Sequence, residues 1–383
     1  MRQPLLSIVV PTKDRYFYLE KLIELIDSFQ SADIELVLQD NTADNSKILE
    51  FLSSKRHLNI RYAHKAEVIP ISYNSDLAIL NSTGEYVCFI GDDDGVTKYI
   101  IECVKWMRDN DIEVVVPSIV SYDWPDAYSY SEFLNQSGKI VYEKFTGEIR
   151  EVSALQTLYE LMEQGFIHRG DLPLVYHGIV KRSVLNKIYD IGGTFFPGAS
   201  PDIANGVALS LIVKNYVHVN MPIIISGASK HHAGGVKKIK NRAADIDLMT
   251  FLPPNAKKEW EKKLPKIWTG ETVWAESAIK ALRYMGREDL IVHVNFEYLY
   301  STFVTFHFGI RSMAYELTSN KIYLLYSSSI MIIKRYINAL LRMCLLKLKM
   351  KKGKCVVENV IDIIQVVSYL QEKYKYKFPS QKL

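Results

Sequence analysis

Between residues 5 and 120 the chain alternates two kinds of segment, and that alternation leaves few folds open. LLSIVVPT (5–12), IELVLQD (34–40), NIRYAHK (59–65), EYVCFIG (85–91) and IEVVVPSIV (112–120) are short apolar runs rich in branched and aromatic residues, the pattern of strands in a buried sheet. Between them lie YFYLEKLIELIDSF, with Leu19, Leu22, Ile23 and Ile26 at helical spacing, then ADNSKILEFLSS, SYNSDLAILNST and TKYIIECVKWMRDN. Strands joined through helices make right-handed crossovers, so the fold expected is α/β, a mostly parallel twisted sheet with helices on both faces. In such sheets ligands bind beyond the carboxyl ends of the strands.

That rule brings three loops to one crevice. Strand ends PTKDR, QDNTADNS and GDDDG carry Thr12, Arg15, Asp40, Asn41 and the run Asp92, Asp93, Asp94. Adjacent carboxylates raise one another's pKa and repel unless a cation meets them. A solvated turn is the ordinary reading of Asp and Gly together, but a turn does not account for the convergence. Oxygen ligands of this kind select hard Mg2+ or Mn2+, with nucleotide phosphates completing the shell. No GxGxxG follows the first strand and no GxxxxGK[ST] occurs, which argues against a Rossmann dinucleotide site or a P-loop.

In that order, SIVVPTKDR, LVLQDNTADNS and NSTGEYVCFIGDDDG resemble the nucleotide-binding half of an inverting family 2 glycosyltransferase with the GT-A fold, of the bacterial polysaccharide-assembly kind. The family's opening strand leads to a P-T-x-N-R-like turn, its second ends in a D-N-x-S-like element, and an A-x-G-E-Y-like lead precedes D-x-D. The resemblance covers about residues 6–240; Asp14 stands where Asn is commoner. It implies transfer of a sugar from a nucleotide-sugar donor, most of all a UDP-sugar, to a saccharide or lipid-linked saccharide acceptor, with Mn2+ or Mg2+, in surface polysaccharide biosynthesis. Carried over by position, Pro11, Thr12, Arg15, Asn41 and Asn74 line the donor site, and Asp40 is the carboxylate that meets the uracil ring. Asp92 with Asp94 reads as the D-x-D pair, and Asp93 with Asp94 matches nearly as well. Asp92 and Asp93 thus join the donor set, and the implied metal set is Asp92, Asp93, Asp94 and a late histidine, His232 or its neighbour His231. Family members place a general base, usually within Glu-Asp, in a loop entering a helix. Here Pro201-Asp202 of FFPGASPDIANGVALSLIV holds that place, making Asp202 the candidate catalytic base; an Asp at a helix start is often only a cap. DLPLVYHGIVKRSVLNKI, a strand then a helix, is similar to the family's G-x-x-x-R element.

The expected domains are a transferase unit over 1–245, with its nucleotide half at about 1–117 and its acceptor half at about 118–245, and a helical carboxyl-terminal region over 246–383. Residues 121–150 read as a loop and hairpin region, and the Gly-Gly and lysine-bearing stretch around Lys237, Lys238 and Lys240 as a loop able to close over a diphosphate. Helices are expected in KKEWEKKLPKIW, TVWAESAIKALRYMG, a long apolar stretch to about residue 350, and VVENVIDIIQVVSYLQEKY. Up to residue 320 the chain has 34 Lys plus Arg against 40 Asp plus Glu, and from 321 onward 13 against 3, so a basic tail follows an acidic body. Ile333, Tyr336, Ile337 and Leu340 share one helix face and Lys334 and Arg335 the other, which suits an anionic membrane interface as well as packing on the catalytic unit. The run at 322–333 is shorter than the roughly 18–20 residues of a membrane span. MRQPLL runs directly into a strand, so the expected location is cytoplasmic, peripheral at the inner leaflet. The last helix suits packing or oligomerisation. Four cysteines without CxxC spacing argue against a zinc site or disulfide scaffold, and the acidic catalytic half argues against nucleic-acid binding. Two rivals are a sugar nucleotidyltransferase, whose Gly-rich basic loop PTKDRYFYLE does not supply, and a non-catalytic nucleotide-sugar or membrane-binding module.

Overall fold

The computed structural model describes residues 3–55, 58–127, 137–230, 244–246, 258–347 and 354–379. Strands β1 (Leu6–Thr12), β2 (Ile34–Asp40), β3 (Ile60–His64) and β4 (Tyr86–Phe89) form where the apolar runs place them, joined by helices α1 (Tyr16–Asp27), α2 (Ser46–Ser53) and α3 (Ile71–Leu80). They pair in parallel in the order β3-β2-β1-β4. In α1, Leu19, Leu22, Ile23 and Ile26 recur on one face and are buried against the sheet.

Beyond β4 come β5 (Gly95–Val96), α4 (Tyr99–Asp109), β6 (Val114–Asp123), β7 (Lys139–Glu143), β8 (Ile149–Ser153), α5 (Ala154–Glu163), β9 (Ile179–Lys181), α6 (Arg182–Gly192), α7 (Pro201–Ile212) and β10 (Asn215–Ala228). In this half the parallel pattern gives way to a mixed sheet. β9 is antiparallel to both β4 and β6, β7 is antiparallel to β6, and β10 runs parallel to β6 but antiparallel to β5 and β8. The G-E-Y and G-x-x-x-R elements meet at the amino ends of β1, β2 and β4. Glu35, 1% exposed, accepts from Ser7 Oγ at 2.6 Å and Gly84 N at 3.0 Å, while Arg182 Nε donates to Gly84 O at 2.6 Å. These bonds fix the lead into β4, and so the position of the aspartates that follow it.

A small ladder of β11 (Ala244–Asp245) and β12 (Ile267–Trp268) precedes helices α8 (Gly270–Tyr284), α9 (Phe296–Phe306), α10 (Arg311–Leu317) and α11 (Lys321–Lys347); the chain then forms β13 (Lys354–Val357) and α12 (Ile363–Lys373). The helical region has its own apolar core, in which Leu282, Leu299 and Phe303 meet Leu161 and Ile203 of α5 and α7. Two expectations change here. KKEWEKKLPKIW is not helical over 258–266: Trp260 turns inward, its Nε1 donates to Pro265 O at 3.0 Å, and a Thr269/Thr272 capping box starts α8 only afterwards. The last expected helix begins as a strand, β13, antiparallel to β7, and becomes helical only at Ile363, where Asp362 accepts from Gln365 N. Its apolar face packs into the core of the main sheet, with Ile363, Val366, Val367 and Leu370 in the same core as Leu25 and Val96. Gly95 makes room for this return, since a Cβ there would lie 2.4 Å from Ile363 Cγ1. The final segment therefore belongs to the first body's core.

The start of α11 packs on α9 through Leu324, Ser327 and Ser328. Further along, Ile333, Tyr336, Ile337 and Leu340 stand at least half exposed beside Lys334 and Arg335.

Candidate active site

Three strand ends meet as the sheet topology requires. Pro11 and Thr12 close β1 opposite Gln39 and Asp40 of β2, and Thr12 Oγ1 donates to Asp92 Oδ2 at 2.7 Å. Asp14 adopts φ +57°, with its amide donating to Thr42 Oγ1 at 2.8 Å, and this tight turn sends Arg15 back toward the aspartates. Arg15 is the joint of the site. Its Nη1 lies 2.9 Å from Asp92 Oδ1, its Nη2 contacts Asp93 Oδ2, and Nη2 donates to Ser229 Oγ at 2.7 Å.

The three aspartates, all nearly inaccessible, take different partners. Asp93 Oδ2 also accepts from Ser229 N at 3.1 Å and Ser229 Oγ at 2.7 Å. Asp94 turns away: Oδ2 bonds His177 Nε2 and Gly91 N, both at 2.7 Å, and Tyr176 Oη at 3.2 Å, while Oδ1 accepts from Gly227 N at 2.7 Å. Burial alone would raise the pKa of all three. Burial pushes Asp92 up to about 7, against the pull of Arg15 and with the push of Asp93. Asp93 is raised by burial and by Asp94. For Asp94, His177 and the amides of Gly91 and Gly227 outweigh burial and hold its pKa below the usual value. Asp92 Oδ1, though ion-paired, has no aligned hydrogen bond, and neither has buried Arg15 Nε. Among the described residues no three His, Cys, Asp or Glu side chains converge as a metal-ligand set. His231 and His232 lie outside the described residues, as do Lys237, Lys238 and Lys240.

At the end of β2, Asp40 is fully buried. Its Oδ2 accepts from Tyr16 Oη at 2.7 Å and Tyr62 Oη at 2.9 Å, and its Oδ1 from Thr42 N at 2.9 Å. Asn41 donates to Lys65 O and Glu67 O, both at 2.6 Å, pinning the loop that enters α3. On α3, Asn74 is buried with its Oδ1 unpartnered.

Asp202 sits in the first turn of α7, behind Pro201, and is about a quarter exposed. Ser200 Oγ donates to its Oδ1 at 2.6 Å, and Arg169 Nη1 stands 3.9 Å from its Oδ2. Tyr176 links the two halves: burial raises the pKa of its hydroxyl, and the charges of Asp94, Asp93 and Asp202 raise it further. His177, Tyr176, Arg169, Gly227 and Ser229 were missed in the sequence. The signal available was the His-Gly pair before the G-x-x-x-R element, where His177 takes the left-handed conformation at φ +64°.

Residues 7–157 match the family described as Glycosyl transferase family 2. That match identifies this part of the chain as a glycosyltransferase domain. No curated protein matches in sequence. Solved structures similar to the chain include S. aureus TarS 1–349 in complex with UDP (TM-score 0.46, 14% identity, 82% of this chain and 75% of that one). The same protein in complex with UDP-GlcNAc is similar at TM-score 0.45 and 15% identity, over 82% and 76% of the two chains. The mannosyltransferase PcManGT from Pyrobaculum calidifontis, in complex with GDP-Man and Mn2+, is similar at TM-score 0.38 and 13% identity, over 89% and 88%.

Proposed function

We propose that the chain is a metal-dependent inverting glycosyltransferase, moving a sugar from a UDP-sugar to a saccharide or lipid-linked saccharide acceptor in surface polysaccharide biosynthesis. The observation that carries this reading is the meeting of the β1 and β4 ends at one guanidinium, with Asp92 and Asp93 on either side of Arg15. Two buried carboxylates already bracketing a cation, one with an oxygen lacking an aligned hydrogen bond, fit Mn2+ or Mg2+. Asp92 and Asp93 would hold the ion, because Asp94 is committed to His177 and two backbone amides. A divalent ion held there would supply positive charge to a diphosphate leaving group.

The remaining roles fall to the chain's own side chains. Arg15, freed from the carboxylates, keeps a guanidinium at the β1 end to pair with phosphate oxygens. Asp40 shapes the base pocket by holding Tyr16 and Tyr62. Asp202 takes the proton of the acceptor hydroxyl as that oxygen bonds to the anomeric carbon and the bond to the diphosphate breaks. Ser200 steadies one carboxylate oxygen and leaves the other open.

Calorimetric titration with UDP, GDP and CMP, with and without Mn2+, tests the reading. UDP is expected to bind in a metal-dependent manner, and Asp93→Ala to abolish that binding. If none of the three binds metal-dependently, the reading falls.

Membrane attachment is part of the proposal. The exposed apolar face of distal α11 beside Lys334 and Arg335 supports contact with an anionic lipid surface, and among the described residues no helix is long and apolar enough to cross a membrane. Cosedimentation with phosphatidylglycerol vesicles is expected, falling at least several-fold in the Ile333→Asp/Ile337→Asp double variant; equal recovery of both proteins would remove the membrane from the reading.

A further inference from the structure

The sheet has a gap. On one edge β6 pairs with β9 only as far as Val115 and with β7 only from Ser121 onward. Beside that interruption lies a cavity of about 380 Å3, within the range of about 300–1,000 Å3 typical of small-molecule sites. It is lined from both sides of the chemistry proposed above. Tyr176 and His177, whose polar tips bond Asp94, form part of its wall. So does Arg169, which reaches to 3.9 Å from Asp202. A molecule in this space therefore touches side chains that are themselves in contact with Asp94 on one side and within 3.9 Å of Asp202 on the other.

The lining also points to a class of ligand. Arg169 and Lys354 are balanced by Glu143 and Asp171, so the charged groups cancel and no excess of either sign favours an anion or a cation. Guanidinium and carboxylate groups, with Ser118, Ser121 and Asn220, supply both donors and acceptors, which is what sugar hydroxyls pair with. Tyr142 and Phe145, stacked at 5.4 Å, add flat apolar surface. We propose that this cavity is an acceptor subsite and takes a neutral pyranose unit, seated against Arg169, the wall residue that stands beside Asp202. Lys354 comes from β13, so the returning carboxyl-terminal strand takes part in acceptor recognition, a role the sequence pattern of a helical tail does not suggest.

The inference rests on the transferase reading, and its test separates the two. Saturation-transfer NMR on the full chain, in the presence of UDP and Mn2+, uses methyl glucoside, methyl galactoside, methyl mannoside and methyl N-acetylglucosaminide as probes, with glucuronate as the charged comparison. At least one neutral pyranoside is expected to bind in preference to glucuronate. Glu143→Gln and Lys354→Ala, both at exposed side chains, are each expected to weaken it about tenfold, the effect of losing one charge-assisted hydrogen bond, with UDP affinity unchanged. If no pyranoside binds, if glucuronate binds best, or if neither variant alters binding, the cavity is not this subsite. If pyranoside binding follows the variants while UDP never binds, the donor reading fails and the cavity remains a sugar site.

Discussion

Asp202→Asn is expected to lower kcat by roughly 10²–10⁴-fold, the range over which positioned general bases act, and to leave UDP affinity within twofold. Asparagine has the shape of aspartate and still offers an oxygen to Ser200 Oγ, whose bond to Oδ1 measures 2.6 Å. What it lacks is a site for the proton of the acceptor hydroxyl. The substitution also removes a negative charge from the first turn of α7, worth about 0.3–1 kcal/mol, too little to unfold a helix whose Ile203, Ala204, Val207 and Ala208 are completely buried. Initial rates at saturating donor and acceptor, set beside calorimetric UDP affinity, separate the base from a mere cap. A cap predicts a small loss of thermal stability and an unchanged kcat, and that outcome would remove Asp202 from the mechanism. Arg169 sharpens the comparison. At 3.9 Å it orients the carboxylate without neutralising it through a close hydrogen bond, so Arg169→Ala should affect acceptor KM more than the chemical step.

Much of the first half of the sheet was legible because strands buried on both faces and amphipathic helices leave different periods in sequence, and because chain order then dictates where strand ends go. Thr12, Arg15 and Asp92 to Asp94 meet as that logic requires. The partners that stabilise the aspartates were not legible, because they come from far along the chain: His177 lies 83 residues beyond Asp94, and Ser229 lies 136 beyond Asp93. Each supplies an ordinary polar atom whose meaning depends on where a later strand lands. The carboxyl-terminal return was hidden for a related reason. The apolar positions of α12 are the same whether they face a helical bundle or the sheet, and only the space left by Gly95 admits Ile363 at that approach. Asp40 stands where a base contact is implied, and the partners its carboxylate already has, Tyr16, Tyr62 and Thr42 N, were not legible from its position.

The dependence of the aspartate turn on a distant strand leads to the second large effect. Gly227→Ala is expected to weaken metal-dependent UDP binding more than about 100-fold, although Gly227 need touch neither ligand. In β10 its backbone pairs with Tyr122 of β6, and its amide donates to Asp94 Oδ1. A Cβ at this position would lie 1.8 Å from Asp93 O, 2.6 Å from Asp93 C and 3.1 Å from Trp124 Nε1. The obstruction is backbone on one side and a buried indole on the other, so no flexible side chain can yield. Either β10 or the aspartate turn must shift. β10 is held by pairing to β6, β5 and β8, so the turn is the element that gives. Displacing Asp93 O breaks its 2.9 Å bond from Trp124 Nε1 and moves the Asp92 and Asp93 carboxylates relative to Arg15 by a distance that hard-cation coordination does not tolerate. Overpacking of this kind costs about 1–3 kcal/mol of stability, so the variant should remain folded with a lowered melting temperature, and circular dichroism checks that it does. Gly309→Ala serves as the control, because a Cβ there has open space around it; its UDP affinity should equal that of the unsubstituted chain. If folded Gly227→Ala binds UDP as tightly as that control, the geometry of the aspartate turn is not what holds the nucleotide, and the metal assignment to Asp92 and Asp93 fails with it.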